Sequence, residues 1–261
     1  MRILITGASR GIGRAIARRL AREDVQLVLC ASTPSADFDS SAADCRAQGA
    51  EVLTLTGDLA VHETPQRLVD ASVERFGGLD GVVSNAGIVK SGALVMLDPQ
   101  AWDMVFNVNV RSVWQLARAA QPHLKASAGA MVAVASMSGV EPYAGTGAYS
   151  PAKAALIMLV RVLAHEWAGD GVRINAVSPG LFLSALTAPI YADAQKRAAR
   201  ETLVPMHRIG EPARDLAGLV EFLLSPDATY MTGQNIVVDG GLLGSIQSHL
   251  AGRPVSQTAA K

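Results

Sequence analysis

Arg2-Ile3-Leu4-Ile5-Thr6-Gly7-Ala8-Ser9-Arg10-Gly11-Ile12-Gly13 reads as a buried strand that runs through a glycine-rich turn straight into a helix. The apolar residues from Ile3 to Ile5 are too few for a helix and suit a strand covered on both faces. Gly7, Gly11 and Gly13 stand where strand gives way to helix. There a backbone without side chains lets a pyrophosphate approach the helix N–H groups and the positive end of the helix dipole. The spacing Gly-x-x-x-Gly-x-Gly differs from the commoner Gly-x-Gly-x-x-Gly fingerprint. Downstream of the turn, Ile12, Ile16 and Leu20 share one helical face, while Arg14, Arg18, Arg19 and Arg22 lie elsewhere.

Outward from this unit the same alternation repeats. Strands are expected at Gln26–Cys30, Glu51–Leu55, Gly81–Ser84, Ala130–Ala135, Arg173–Ser178 and Asn235–Val238. Helices are expected near Ile12–Glu23, Ser40–Gln48, Thr64–Phe76, Trp102–Lys125, Ala148–Trp167 and Ala213–Leu224. Strand–helix alternation implies parallel strands joined by right-handed crossovers. The fold class is therefore α/β: one doubly wound, Rossmann-type domain over residues 1–261, with a parallel seven-stranded sheet and helices on both faces. Two stretches break the rhythm, 181–208 as a candidate substrate lid and 242–261 as a C-terminal extension expected to wrap the surface or reach a neighbouring subunit.

The 261 residues are 49% hydrophobic and 18% charged, with 23 basic and 23 acidic side chains, which points to neither a nucleic-acid surface nor a membrane patch. The longest apolar runs, such as 154–160, fall far short of the roughly 20 residues that span a bilayer. No signal-like segment precedes Arg2, so a cytoplasmic location is expected. Cys30 and Cys45 read as small hydrophobes rather than a disulfide. The histidines are scattered, and His165-Glu166 is followed by Gly169 where a zinc site needs its second histidine; no metal is expected.

Several residues carry chemistry. Asn85-Ala86-Gly87 follows the fourth strand, where small residues admit a ribose or a flat ring. Asp58 follows the third strand and reads either as a turn residue or as an acceptor for an adenine amino group. Tyr149 and Lys153 in Tyr149-Ser150-Pro151-Ala152-Lys153 lie one turn apart on one helix face. A lysine there is expected to lower the phenol pKa and make Tyr149 an acid/base group. Ser136, at the end of the fifth strand, is placed to hold a carbonyl oxygen.

Together these residues resemble the short-chain dehydrogenase/reductase family, most closely 3-oxoacyl carrier-protein reductases and related ketone reductases. The resemblance runs from Arg2 to about Leu243. It rests on Thr6-Gly7, Gly11, Gly13, Asp58, Asn85-Ala86-Gly87, Asn109, Ser136, Tyr149, Lys153, Pro179-Gly180 and Asp239-Gly240-Gly241 in the family's order. It implies hydride transfer between a nicotinamide dinucleotide and a ketone or secondary alcohol. Tyr149 would be the general acid/base and Ser136 the carbonyl anchor. Lys153 would be the ribose ligand, and Asn109 would hold a water that links Lys153 to solvent.

Cofactor contacts are implied for Gly7, Ser9, Arg10, Gly11, Ile12, Gly13, Ser32, Asp58, Leu59, Asn85, Ala86, Gly87, Tyr149, Lys153, Pro179, Gly180, Phe182 and Ser184. NAD-preferring members carry an acid at the tip of the second strand. Here Ala31-Ser32-Thr33 stands there, with Arg10 nearby, so NADP(H) is expected over NAD(H) unless Asp37 or Asp39 folds back to the ribose. The substrate pocket is expected from Val140, Pro142, Tyr143, Phe182, Leu186, Tyr191 and Met206, an apolar set suited to a ketone or acyl chain.

Carrier-protein reductases place arginines where this chain has Ser127 and Asp170; Arg111, Arg173 and Lys125 are the nearby cations available to compensate. The expected partners are a small carbonyl or alcohol substrate and further copies of the chain in a homotetramer, with no nucleic acid and no membrane. The competing readings are a sugar, polyol or cyclic-alcohol dehydrogenase and a nucleotide-sensing regulator without chemistry.

Overall fold

The structure, a computed structural model, describes residues 1–184 and 187–245. Seven strands form one sheet: β1 (Arg2–Thr6), β2 (Gln26–Ala31), β3 (Glu51–Thr56), β4 (Gly81–Ser84), β5 (Ala130–Val134), β6 (Arg173–Pro179) and β7 (Asn235–Val238). Their order is β3-β2-β1-β4-β5-β6-β7, and every neighbouring pair is parallel. The chain reverses its winding between β1 and β4. In open α/β sheets that switch point opens a crevice beyond the carboxyl ends of the strands.

The period-two alternation of strand side chains divides the core. Ile3, Ile5, Leu27 and Leu29 pack with α1 (Gly11–Leu20), α2 (Ala36–Ala47) and the later helices on one face. Leu4, Val28 and Cys30 pack with α3 (Thr64–Phe76) on the other. Cys45 sits in the first cluster and Cys30 in the second; both are free. Burial pushes the Cys30 thiol up to about 12.

The stretch Trp102–Lys125 is not one helix. It comprises α4 (Pro99–Phe106), a π-helical turn at Asn107–Arg111, and α5 (Ser112–Ser127). The wider turn accompanies the buried Asn109 side chain, whose amide donates to Val105 O at 2.9 Å and Ile88 O at 3.0 Å. Such turns recur at functional sites. The second helix starts at Ala36, earlier than its sequence suggests, because Ser35 caps it by accepting from Phe38 N. Asp37 and Asp39 thus stand exposed in its first turn, not in a loop.

The catalytic-motif helix, α6, spans Tyr149–Trp167. Beyond β6 come α7 (Ala188–Tyr191) and α8 (Ala194–Leu203), then α9 (Pro212–Asp215) and α10 (Ala217–Leu224). The base of the segment 181–210 is clasped by backbone bonds, Leu183 N to Gly210 O at 2.9 Å and Gly210 N to Leu181 O at 2.8 Å. Among the described residues no helix is long and apolar enough to cross a membrane. Residues 246–261, most of the expected C-terminal extension, lie outside the described residues, as does Leu186.

Candidate active site

A cavity of about 650 Å³ opens at the carboxyl ends of the strands. It is lined by the loops after β1 (Gly7, Ser9, Arg10, Gly11, Ile12), β2 (Ser32), β3 (Gly57, Asp58, Leu59) and β4 (Asn85, Ala86, Gly87), then Ser136, Tyr149, Lys153 and the β6 tip, Pro179, Gly180, Phe182 and Ser184. Of the cofactor positions expected from sequence, Gly13 alone is not on the cavity wall.

Its glycine has another reason. A Cβ at Gly13 would strike the Gly7 carbonyl and come within 2.5 Å of Asn85 Nδ2. The Asn85 amide donates to Thr6 O and Gly7 O, both at 3.0 Å, while Thr6 Oγ1 accepts from Asn85 N and Ala86 N. These bonds fasten the β4 tip to the glycine loop. Gly7 itself adopts φ +65°, which a side chain disfavours. The resulting turn leaves helix N–H groups facing the cavity, as a pyrophosphate requires. Asp58 lines the cavity, and its Oδ1 accepts from Ala60 N at 2.8 Å, the turn role expected of it.

Ser136 is buried at the end of β5, where its hydroxyl caps a short turn, Met137–Gly139, by accepting from Ser138 N at 3.1 Å. That turn lies against α6 so closely that a Cβ on Gly139 would be 2.6 Å from the Lys153 carbonyl carbon and 2.8 Å from Ala154 N. The contact sets Ser136 beside Tyr149. Burial raises the Tyr149 hydroxyl above the ordinary phenol range, and its hydrogen bond with Ser136 pulls the other way.

Lys153 is buried, with Nζ donating to Val134 O at 2.8 Å and standing 5.7 Å from the Tyr149 ring centre. Burial pushes its ammonium down to about 8. The sequence expectation that Lys153 would lower the Tyr149 pKa is thus corrected for this structure: desolvation dominates at both groups. Asn109 Oδ1 is buried without a partner. A Cβ on Gly87 would lie 2.7 Å from that oxygen and 3.5 Å from Lys153 Nζ, so Gly87, Asn109 and Lys153 bound one small gap.

Other expectations change. Tyr143 and Phe182 line the cavity, but Val140, Pro142, Tyr191 and Met206 do not; Val140 and Met206 are exposed and Tyr191 is buried. Ser184 is held by Thr187, whose Oγ1 accepts from Ser184 N at 2.9 Å and donates to Phe182 O at 2.6 Å.

The cations considered for a carrier protein are committed elsewhere. Arg173 is buried and donates to the carbonyls of Leu223, Leu224, Ser225 and Ala228, Lys125 pairs with Asp170 at 2.7 Å, and Arg111 donates to Ala60 O. Thr187, Ile190 and Arg200 line the cavity without having been singled out in sequence, since only the fold brings residues so far past the β6 tip back over it. No cluster suited to a metal occurs among the described residues.

Comparison with known proteins agrees with this arrangement. The profile of the family described as Enoyl-(Acyl carrier protein) reductase matches residues 7–243. The chain is 34% identical over 249 residues to dehydrogenase/reductase SDR family member 4 of Bos taurus, covering 95% of this chain and 87% of that protein. It is 33% identical over 240 residues to the 3-oxoacyl-[acyl-carrier-protein] reductase FabG of Staphylococcus epidermidis, covering 92% and 97%. The RhlG/NADP active-site complex of Pseudomonas aeruginosa superposes with a TM-score of 0.86 at 33% identity, covering 92% and 95% of the two chains.

Proposed function

The chain belongs to the short-chain dehydrogenase/reductase family and is an NAD(P)-dependent oxidoreductase, and from that premise we propose that it reduces a ketone to a secondary alcohol with NADPH. The observation that carries this reading is the convergence of Ser136, Tyr149 and Lys153 on the cavity that the glycine loop also lines. The cradle suits a dinucleotide. Gly7, Gly11 and Ile12 would hold the pyrophosphate, Asp58 and Leu59 the adenine, and Lys153 the ribose next to the reacting ring. Pro179, Gly180 and the Phe182–Ser184 backbone would hold the carboxamide. When bound, the dinucleotide supplies the hydride that the carbonyl carbon accepts.

The side chains of this protein do the rest. Ser136 donates a hydrogen bond to the carbonyl oxygen and fixes its position. Tyr149 then gives its proton to that oxygen, so the carbonyl leaves as an alcohol. Burial raises its pKa, so Tyr149 enters the reduction as the protonated phenol that acts as proton donor. Lys153 returns a proton to the tyrosinate. A water held between Asn109 Oδ1 and Lys153 Nζ would satisfy the orphaned oxygen and refill the lysine. For NADPH over NADH, the support is the absence of an acid at Ala31-Ser32-Thr33, with Arg10 exposed and lining the same cavity as Ala31 and Ser32, and the two acids in the first turn of α2, Asp37 and Asp39, exposed to solvent.

Reduction of a panel of ketones, with sugars and polyols tested in the oxidative direction, is followed at the NADPH and NADH absorbance. Tyr149→Phe is expected to lower kcat by at least about 10²-fold with little change in cofactor affinity. Retention of more than a tenth of the activity by that variant would refute the assignment.

A further inference from the structure

Resting on the proposed reductase activity, we propose that the preferred ketone carries an anionic group, a carboxylate or a phosphate, and that Arg200 on α8 is its receptor. Arg200 is partly buried and lines the reaction cavity. Among the described residues it has no acidic partner. The acids of its own helix region are taken, Glu201 by Arg197 at 2.9 Å and Asp193 by Lys196 at 3.1 Å. Its guanidinium carbon lies 5.6 Å from the centre of the Tyr191 ring, and Tyr191 is 7% exposed. The buried ring is a pedestal that limits where the cation can go. The Tyr191 hydroxyl is itself buried with no partner, a second polar group in this lid left open.

Position decides what Arg200 serves. Among the described residues the cavity wall holds one carboxylate, Asp58, in the loop after β3. Arg200 belongs to the segment that follows β6. In the order β3-β2-β1-β4-β5-β6 the strand tips that carry these segments stand five spacings apart, roughly 24 Å at about 4.8 Å each, and among the described residues Asp58 instead accepts from Ala60 N. The glycine loop after β1 is three spacings from β6, roughly 14 Å, with Arg10 near it. The lid cation lines the same cavity as Ser136 and Tyr149, and Ile190 and Phe182 add apolar surface to that wall. An uncompensated guanidinium there recognises an anion that offers two acceptor oxygens to its planar fork, as carboxylates and phosphates do. The apolar neighbours cover the carbon chain between that anion and the ketone.

The test compares oxocarboxylates of increasing chain length with their methyl esters, and an oxoalkyl phosphate with its neutral alcohol, in the wild type, Arg200→Met and Arg200→Lys. At the chain length that fits, the wild type is expected to favour the anion by roughly tenfold or more in kcat/KM, the scale of a charge-assisted bond. Arg200→Met loses that preference while its kcat/KM for the ester and its KM for NADPH stay within about twofold, and Arg200→Lys keeps part of it. Whichever anion shows the preference identifies the group. Neutral ketones reduced as well as their anionic partners at every length would overturn the proposal and leave the reductase reading standing. So would a rise in NADPH KM in Arg200→Met matching the loss for the anion, which would put Arg200 on the cofactor. Should no ketone be reduced at all, the reductase reading fails. The receptor is then tested by titrating the same oxocarboxylates into the NADPH complex and following NADPH fluorescence. Saturable binding weakened by Arg200→Met supports it, and no binding overturns it.

Discussion

Gly139→Ala tests whether the spacing between Ser136 and the catalytic helix is set by backbone contact. The added Cβ would sit 2.6 Å from the Lys153 carbonyl carbon, where ordinary contact begins at 3.4 Å, and 2.8 Å from both Ala154 N and Lys153 O. All three are backbone atoms in the interior of α6, so no side chain can swing aside. Gly139 lies outside the positive-φ region, so the substitution adds no backbone strain and its effect is one of packing alone. The turn Met137–Gly139 must withdraw from α6 by about 0.8 Å, and Ser136, which caps it, goes with it.

A misplacement of about 1 Å in a reacting group costs on the order of 10²-fold, so kcat should fall by about 10- to 10²-fold. Overpacking of this kind costs about 1–3 kcal/mol, which lowers Tm by roughly 2–4 °C per kcal/mol at this chain length. The glycine loop that would hold the pyrophosphate is untouched, so KM for NADPH should change by less than about threefold. Steady-state kinetics at saturating NADPH, with calorimetric melting of the same preparations, measure all three. A folded Gly139→Ala enzyme with kcat within about twofold of wild type would refute the reasoning, as would a loss expressed in NADPH KM instead of kcat.

Three further outcomes are expected. Arg10→Ala should erode the preference for NADPH while leaving kcat/KM with NADH nearly unchanged; equal use of both cofactors by the wild type would point instead to Asp37 or Asp39. Burial lowers Lys153 from 10.5 to about 8, so the ammonium that would grip the ribose is present below pH 8 and lost above it, and kcat/KM for NADPH should decline as pH rises through 8. The unfolded chain keeps that proton up to about 10.5, so this group makes the folded state more stable as pH rises from 8 to 10.5, by up to about 3 kcal/mol. The margin by which Lys153→Met out-melts the wild type should narrow over that range. Finally, α6 exposes Met158 and Val162, and Trp102, Met104 and Trp114 are exposed on the neighbouring α4 and α5. A homotetramer with two-fold axes is expected to cover the α6 face, and a monomeric mass by light scattering at micromolar concentration would contradict it.

The central strands were legible because parallel strands buried on both faces must be apolar throughout; the edge strands β3 and β7 are only partly buried, yet all seven lie where the sequence places them, within a residue at either end. Tyr149 and Lys153 could be paired because four residues of helix put them on one face, and Ser136 was placed by its position after the fifth strand and by the family resemblance; the structure brings all three to the cavity wall. What escaped the sequence depended on contacts between distant segments. The continuous periodicity from Trp102 to Lys125 hides a π-turn that exists because Asn109 reaches back to Val105 and across to Ile88. Gly139 looks like any loop glycine until α6 is laid against it. The expected substrate-pocket residues differ in the same way: Val140 is apolar and near the right strands in sequence yet faces solvent, and Met206 lines a neighbouring cavity that shares Leu181 and Phe182 with the main one. Arg200, well past the β6 tip, becomes a cavity residue only when α7 and α8 fold back.

Charge placement links these observations. The chain has no net formal charge, so it exerts no strong long-range pull on an anionic ligand. The cavity differs from the chain as a whole, because among the described residues three cationic side chains, Arg10, Lys153 and Arg200, line it against one carboxylate, Asp58. Their exposures are graded. Arg10 is exposed, Arg200 partly buried and Lys153 buried. Salt screens an exposed charge far more than a buried one, so on the proposed reading the two arginines would act as salt-sensitive contacts while buried Lys153 keeps its strength. That ordering fits a dinucleotide that must be released each cycle at one end, a proton relay that has to work in every cycle at the centre, and at the other end a substrate chosen by its own charge.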